Sequence, residues 1–587
     1  MADKKKKKFD LGLFSRIVGL ASPYRFLFLS TIILAVALAP VSMLRPYLVS
    51  VMVDDYILLE DMPGLYKIAV VFVVVIVVTS ALRYFMIYYS SLLGQYVVRN
   101  LRIDVFRHIL SLRLRFFDQT PIGRVTTRTI NDIETINTVF TQGIITMVAD
   151  LLGIFAVIGI MFATSWPLTL LVLGTLPLLM IATYIFKEKV KVAFEKVRTQ
   201  LSNMNAFLQE RITGMNIIQI FNAEQQEMDK FKKINRKYTQ ANLDAITYYA
   251  VFFPTVEFIK YLALAVLVYL GARYVISDSV SLGALLAFPW YIDLLFRPVR
   301  MLADKFNTLQ MGMVAADRVF DVLDNREQIS DNGYIEVSKI KGDIEFSNVN
   351  FAYDGENQVV HDISFKLGAG ETLAIVGSTG SGKSTLINLL TRFYDIDSGD
   401  IIIDGKEIKT YKLHQLRARM AIVLQDVFLF YGSVFENITL NDPDISMETV
   451  LEASKAIGAH DYIQKLADGY DYMVMERGAN LSVGQRQLIS FVRALVFDPD
   501  ILILDEATSS IDTETEEVIQ YAIEKLIQKR TSIIVAHRLS TIRHADAILV
   551  MDHGEVVEHG HHDELVQLDG GRYRELYDMQ FGAEVTA

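Results

Sequence analysis

The chain has 587 residues, 52% of them hydrophobic, with a mean hydropathy of +0.30 and a formal net charge of −11. That length leaves room for roughly two to four domains, the hydropathy is high for a wholly water-soluble enzyme, and the negative balance excludes a general nucleic-acid binder. There is no cysteine, so disulfides, thiolate-bound zinc, iron–sulfur clusters and cysteine nucleophiles are excluded as well.

Residues 1–25 carry the lysine run Lys4 to Lys8 but no apolar run ending in a small-residue cleavage site. They read as an inside tail and elbow beside an anionic membrane surface, or as a plain solvated tail. Phe26 to Leu44 is uncharged and long enough to cross a bilayer. Leu151 to Phe186 is also uncharged, too long for one crossing, and broken at Ser165-Trp166-Pro167, which predicts a tight hairpin. The pattern predicts six spans, at about 26–53, 67–95, 135–164, 167–187, 245–272 and 280–303, in a membrane domain of 26–322.

The first connection, Asp54-Asp55 to Glu60-Asp61, is acidic. The segments after spans two and four carry Arg99, Arg102, Arg107, then Lys187, Lys189, Lys191. Positive residues stay inside, so both termini are expected in the cytosol. The apolar period continues past the membrane in Leu101 to Phe116 and Val190 to Ile212, which predicts helical rods. Each rod is expected to end at a break, Pro121 to Gly123 or Gly214, followed by a short cross-piece, Arg124 to Arg128 or Asn216 to Phe221.

Charged residues in a membrane carry a solvation penalty and mark function or helix contacts. Glu257 and Lys260 are spaced i,i+3, and Asp293 and Arg297 i,i+4, as intrahelical bridges would be. Asp150 and Glu257 are the candidate anchors for a cationic amphiphile, with helix–helix contact as the plainer reading. Aromatic residues such as Tyr84, Phe85, Phe252 and Trp290 suit hydrophobic ligands, or ordinary packing.

After a polar linker, 323–343, short β-branched runs alternate with helical stretches from Ile344, which predicts a soluble α/β domain over 344–580. The fold class expected is therefore an all-α six-helix membrane domain followed by an α/β phosphate-loop ATPase domain. Thr372 to Val376 reads as a buried strand, Gly377-Ser378-Thr379-Gly380-Ser381-Gly382-Lys383-Ser384-Thr385 as a phosphate-binding loop, and Leu386 to Leu390 as the helix behind it. Small residues let successive N–H groups curl around phosphates, while Lys383 and the helix N-terminus add positive charge. This implies ATP with Mg2+. Ile501 to Leu504 ends in Asp505 and Glu506: the first suits the magnesium shell with Ser384, the second an attacking water.

Leu481-Ser482-Val483-Gly484-Gln485 and Ala536-His537-Arg538 complete an ordered set. Together these motifs resemble the nucleotide-binding domain of ABC transporters, and the whole chain resembles a bacterial ABC exporter half-transporter of the multidrug and lipid-flippase group, including Phe116-Phe117-Asp118 with Pro121 and Gly123. The resemblance implies that Tyr353 stacks on adenine and that Gln425 senses magnesium and the transport domain. It implies that His537 holds the γ-phosphate and positions Glu506, and that Asp512 crosses a dimer interface. Ser482, Gly484 and Gln485 would bind the γ-phosphate of ATP held by a second half-transporter. It further implies a place in the bacterial cytoplasmic membrane and export of drugs or lipids by alternating access. Val483 departs from the family's usual glycine, a pattern tolerated in equal pairs and also seen in unequal ones, so homodimer and heterodimer both stay open. A dedicated lipid flippase and an ATP-gated channel share the architecture. A soluble ATPase of the same superfamily is excluded by the spans, and a protease-fused peptide exporter by the missing cysteine.

Overall fold

The computed structural model describes residues 10–328, 331–505, 513–535 and 542–581. The chain divides into two compact units, Met1–Leu110 with Ile122–Asn325, and Ser111–Pro121 with Arg326–Ala587.

The first unit is helical. Among the described residues six helices are long and apolar enough to cross a membrane: Ser22–Ile57, Met62–Ser111, Ile122–Thr164, Trp166–Thr213, Glu224–Ile276 and Leu282–Leu323. Helices satisfy their own backbone donors and acceptors, which is what a hydrocarbon medium demands. Several of them run well beyond the roughly 20 residues that a bilayer needs: the rod expected over Val190 to Ile212 continues to Thr213, whereas the one expected over Leu101 to Phe116 breaks after Ser111. An N-terminal helix, Leu11–Gly19, is capped by the Asp10 carboxylate, which accepts from Gly12 and Leu13. It is tied by Arg16 to Asp324 through paired contacts of 2.6 and 2.7 Å.

Among the described residues two large apolar clusters fill this unit, beside a small one of Ala35, Leu38 and Met86. One joins Ile17, Val97, Leu101 and Ile136 to Ala316 and Phe320. The other joins Met161, Leu168, Phe252 and Leu267 to Phe288 and Tyr291. The apolar stretch of the second long helix is by contrast almost all exposed, as lipid-facing or partner-facing surface is.

The cross-pieces are short helices, but the first is displaced from its expected place. It is Leu114–Gln119, before the proline, and Arg124 to Arg128 instead forms the opening of the third long helix. The reason lies in Pro121. A residue preceding proline is pushed out of the α region, and Thr120 is extended at φ −116°, ψ 114°. Proline itself suits a helix start, where its missing N–H is not needed. The second cross-piece, Met215–Ile220, follows Gly214 and ends before Asn222, whose φ is +49°.

The second unit is α/β. Its strands are β1 Ile344–Ala352, β2 Gln358–Leu367, β3 Thr372–Gly377, β4 Ser398–Ile403, β5 Lys406–Glu407, β6 Met420–Val423, β7 Gly432–Ser433, β8 Met473–Val474, β9 Ile501–Asp505, β10 Thr531–Val535, β11 Ala547–Asp552 and β12 Glu555–Gly560. Among the described residues a six-stranded sheet has the order β12-β11-β3-β10-β9-β6, parallel from β11 through β6. A four-stranded antiparallel sheet has the order β2-β1-β4-β5. β3, β9 and β10 are buried nearly end to end, as parallel strands covered on both faces must be. The segment after the first unit lies along this one: Leu413 N–H donates to Asp331 at 2.9 Å and Ile340 N–H to Asp500 at 3.0 Å.

Candidate nucleotide site

In an open parallel sheet, ligands are received outside the carboxyl ends of the strands. β3 delivers the loop Ser378–Gly382 there, and the helix Lys383–Leu390 carries the chain away. Gly377 is required by space: a Cβ would lie 2.2 Å from the Met551 carbonyl oxygen and 2.7 Å from Ser381 Oγ. Gly382 is required by backbone, with φ +101° at the helix N-cap. Lys383 reaches back over the loop and donates through Nζ to the carbonyls of Gly377 and Ser378, at 2.7 and 2.8 Å. Burial pulls its ammonium below the usual lysine value, and the Asp505 carboxylate partly opposes this. A cation held partly dehydrated over a loop of small residues is primed for an anion.

Ser381 supplies an independent sign. It is 2% exposed, and its Oγ has no hydrogen-bond partner among the described residues. A buried hydroxyl without a partner is uncommon and calls for a ligand group. Ser378 donates to Asp552 at 3.2 Å. Ser384 is exposed at the second position of the helix, while Thr385 behind it is buried. Thr379 and Gly380 lie at the loop tip.

β9 and β6 are parallel neighbours, with Val423 paired to Leu504. Asp505 therefore ends one strand beside Gln425, which lies exposed just past the other. Tyr353 follows β1; its hydroxyl donates to Thr385 Oγ1 at 3.2 Å and accepts from Asn388 Nδ2 at 3.3 Å. It thus stands beside the phosphate-loop helix. Glu506, Asp512 and His537 lie outside the described residues.

Two models of the ABC transporter family match: its transmembrane region over residues 27–299, and its ATP-binding domain model, described simply as ABC transporter, over 360–509. The ABC transporter ATP-binding protein YknV of Bacillus subtilis is 39% identical over 584 residues, covering 99% of this chain and 96% of that one. The chain belongs to the ABC transporters. It is also similar to a Bacillus subtilis protein named for multidrug export, YgaD, at 35% identity over 97% of this chain and all of that one. An ATP-dependent lipid A-core flippase of Syntrophus aciditrophicus is 33% identical, over 98% of this chain and 96% of that one. This ABC transporter is thus a multi-pass membrane protein with a nucleotide-binding ATPase domain coupled to transport.

The motif Leu481–Gln485, its signature segment, forms the entrance to the helix Val483–Val496. Ser482 is the N-cap and forms a reciprocal box with Gln485: Gln485 N–H donates to Ser482 Oγ at 3.2 Å, and Ser482 N–H to Gln485 Oε1 at 2.9 Å. Gly484 is buried, whereas Val483 is 38% exposed at the first helical position. The valine therefore adds an apolar group to the outside of the turn without entering the core.

Sequence reasoning missed what steadies the loop after Gln425. Arg493, on the signature helix, donates through Nε to Asn437 O at 2.8 Å and through Nη1 to Phe428 O at 3.3 Å. Asn437 in turn receives the Phe430 N–H at 2.8 Å. Burial pulls the Arg493 guanidinium down. An arginine inside the mainly apolar run Leu488–Val496 was the available signal.

In the membrane unit Asp150 pairs with Lys305, which also donates to Thr146 O at 3.4 Å. Glu257 pairs with Lys260 at 2.9 Å, and Lys260 also reaches Asp293 on the sixth long helix at 3.5 Å. The expected Glu257–Lys260 bridge is present, and Asp293 is drawn across to Lys260.

Proposed function

We propose that this chain is one half of a dimeric ATP-driven exporter that moves hydrophobic or amphiphilic molecules, drugs or lipids, across the bacterial cytoplasmic membrane. The observation that carries the reading, among the described residues, is a phosphate loop with a partly dehydrated lysine and an unpartnered buried serine, in one chain with six span-length helices. The names of the relatives support the cargo class, both for multidrug export and for lipid A-core movement. The flippase name keeps a dedicated lipid flippase as the second reading. The arginine and lysine runs after the second and fourth spans favour cytosolic termini and a cytosolic ATPase domain.

The residues fit the expected ligands. Backbone N–H groups of Gly380 to Ser384, the helix N-terminus and Lys383 would hold the phosphates of ATP, with Tyr353 against the base. Ser384, Gln425 and Asp505 offer hydroxyl, amide and carboxylate oxygens, a donor set that suits Mg2+. That ion supplies neutralisation of charge developing on the phosphoryl oxygens. Glu506 would polarise the attacking water, His537 would hold the γ-phosphate and position Glu506, and Asp512 would cross the interface to the second subunit. The Ser482–Gln485 turn presents a helix N-terminus, an anion-receptive end, which would face the nucleotide of the second half-transporter. Nucleotide closure would then displace the short cross-helices and switch the cavity from inward-open to outward-open.

The experiment is ATP-dependent relocation of a fluorescent phospholipid analogue and of a cationic dye in reconstituted vesicles. Both or either should move with ATP and stay put in Glu506→Gln, which should keep ATP binding and lose nearly all turnover. Movement of lipid alone favours the flippase. Hydrolysis without relocation of any lipophilic probe overturns the reading, and normal turnover by Glu506→Gln overturns the assignment of the base.

A further inference from the structure

The segment Ser111–Pro121 lies in sequence between the second and third long helices, yet it folds with the nucleotide unit. Arg113 fastens it there. Its N–H donates to Glu327 O at 3.0 Å and its Nε to Gln328 O at 2.7 Å, and its guanidinium pairs with Asp395 at 3.2 Å. A further contact runs toward the nucleotide site. The Tyr394 hydroxyl donates to the Asp118 carboxylate. The Tyr394 ring stands edge-on to Tyr353, with centroids 4.9 Å apart and planes at 89°. Tyr353 in turn bonds to Thr385 and Asn388 of the phosphate-loop helix. Phe351 closes the cluster, 4.9 Å from Tyr353 and 5.6 Å from Tyr394. Tyr394 is 8% exposed. A phenol so enclosed needs a partner for its O–H, and Asp118 is the partner it takes.

We infer that Tyr394 is a positioning residue that ties the Tyr353 ring to the segment Ser111–Pro121, and through chain continuity to the two long helices that flank it. The inference rests on Tyr353 being the adenine platform. A base stacked on Tyr353 fixes the plane of that ring. An edge-to-face neighbour then holds its own orientation, which sets the direction of the phenol O–H. A hydrogen bond to a carboxylate is strong and directional. Movement at either end therefore breaks the bond or carries the other end along. Tyr394 separates these two links: the ring serves the nucleotide side and the hydroxyl serves the segment.

The test uses the full-length protein in phosphatidylethanolamine–phosphatidylglycerol vesicles. Amide hydrogen exchange of 111–121 is read with and without a slowly hydrolysed ATP analogue plus magnesium, and affinity is read with a fluorescent ATP analogue. In the unaltered protein, nucleotide should change exchange in 111–121. Tyr394→Phe keeps the ring and should hold affinity within about twofold while losing about half or more of that change. Asp118→Asn keeps an acceptor and should keep the response. Asp118→Ala should lose it, and adding Tyr394→Phe to it should cause no further loss. Tyr353→Ala should weaken nucleotide binding about tenfold. If Tyr353→Ala binds normally, the adenine reading fails and takes the inference with it. If Tyr353→Ala binds weakly but Tyr394→Phe responds fully, or if 111–121 never responds to nucleotide, the inference fails alone. Equal loss of affinity and response in Tyr394→Phe also overturns it, because the contact would then be merely structural.

Discussion

The two units use charge in opposite ways. In the nucleotide unit the central lysine, Lys383, contacts residues five and six positions before it and is offered to a ligand. In the membrane unit Lys305 pairs with Asp150, 155 positions away, and Lys260 is shared between Glu257 and Asp293. The first arrangement is local, with cation, loop and helix end produced by one run of chain. Apart from the i,i+3 pair Glu257–Lys260, the second exists only once the helices are packed, and it neutralises charge that hydrocarbon would penalise. A site of the first kind binds strongly charged ligands, while contacts of the second kind fix helix positions.

The largest effect that would break this contrast is at Lys383. Lys383→Ala should lower both ATP binding and hydrolysis by about a hundredfold or more, measured by nucleotide titration and phosphate release. Wild-type hydrolysis in that variant would remove Lys383 from the ligand side of the comparison. Next is Lys305→Met, which leaves Asp150 facing a low-polarity interior alone. Thermal unfolding in detergent should show a loss of about 2 kcal/mol, with recovery in the swapped pair Asp150→Lys with Lys305→Asp. A stable single variant would indicate that Asp150 carries no structural pairing and return it to the list of cargo anchors.

Smaller effects sharpen the nucleotide side. Ser482→Ala removes an N-cap and should cost about 1 kcal/mol in the stability of that domain. Its hydrolysis should fall further than its equilibrium ATP binding, because the turn would face the nucleotide of the second subunit. Val483→Gly should be mildest, changing the hydrolysis rate by no more than about threefold, since the side chain stands outside the turn. A rise well beyond that would favour an altered site in an unequal pair.

Legibility in the sequence follows the same division. The strand, loop and helix of Thr372 to Leu390 were readable because each step of the argument uses neighbouring residues, and so was the capping pair Ser482 and Gln485, three residues apart. The six spans were readable from length and apolarity alone. The first cross-helix is displaced because the bend falls before Leu114 rather than at the proline, and Pro121 stands just ahead of the next helix, which begins at Ile122. Lys305, Arg493 and Tyr394 were not legible as partners, since what each touches depends on tertiary packing. Lys305 also lies just past the predicted end of the sixth span, so no search confined to the spans could have paired it with Asp150.

The chain has two tryptophans, Trp166 and Trp290, and both lie in the membrane unit. Intrinsic tryptophan emission therefore reports that unit alone, and its response to ATP with magnesium in reconstituted vesicles tests whether nucleotide bound at the phosphate loop rearranges the membrane helices. A shift in emission that saturates with ATP and vanishes in Lys383→Ala is the predicted result; unchanged emission while ATP hydrolysis proceeds would contradict it.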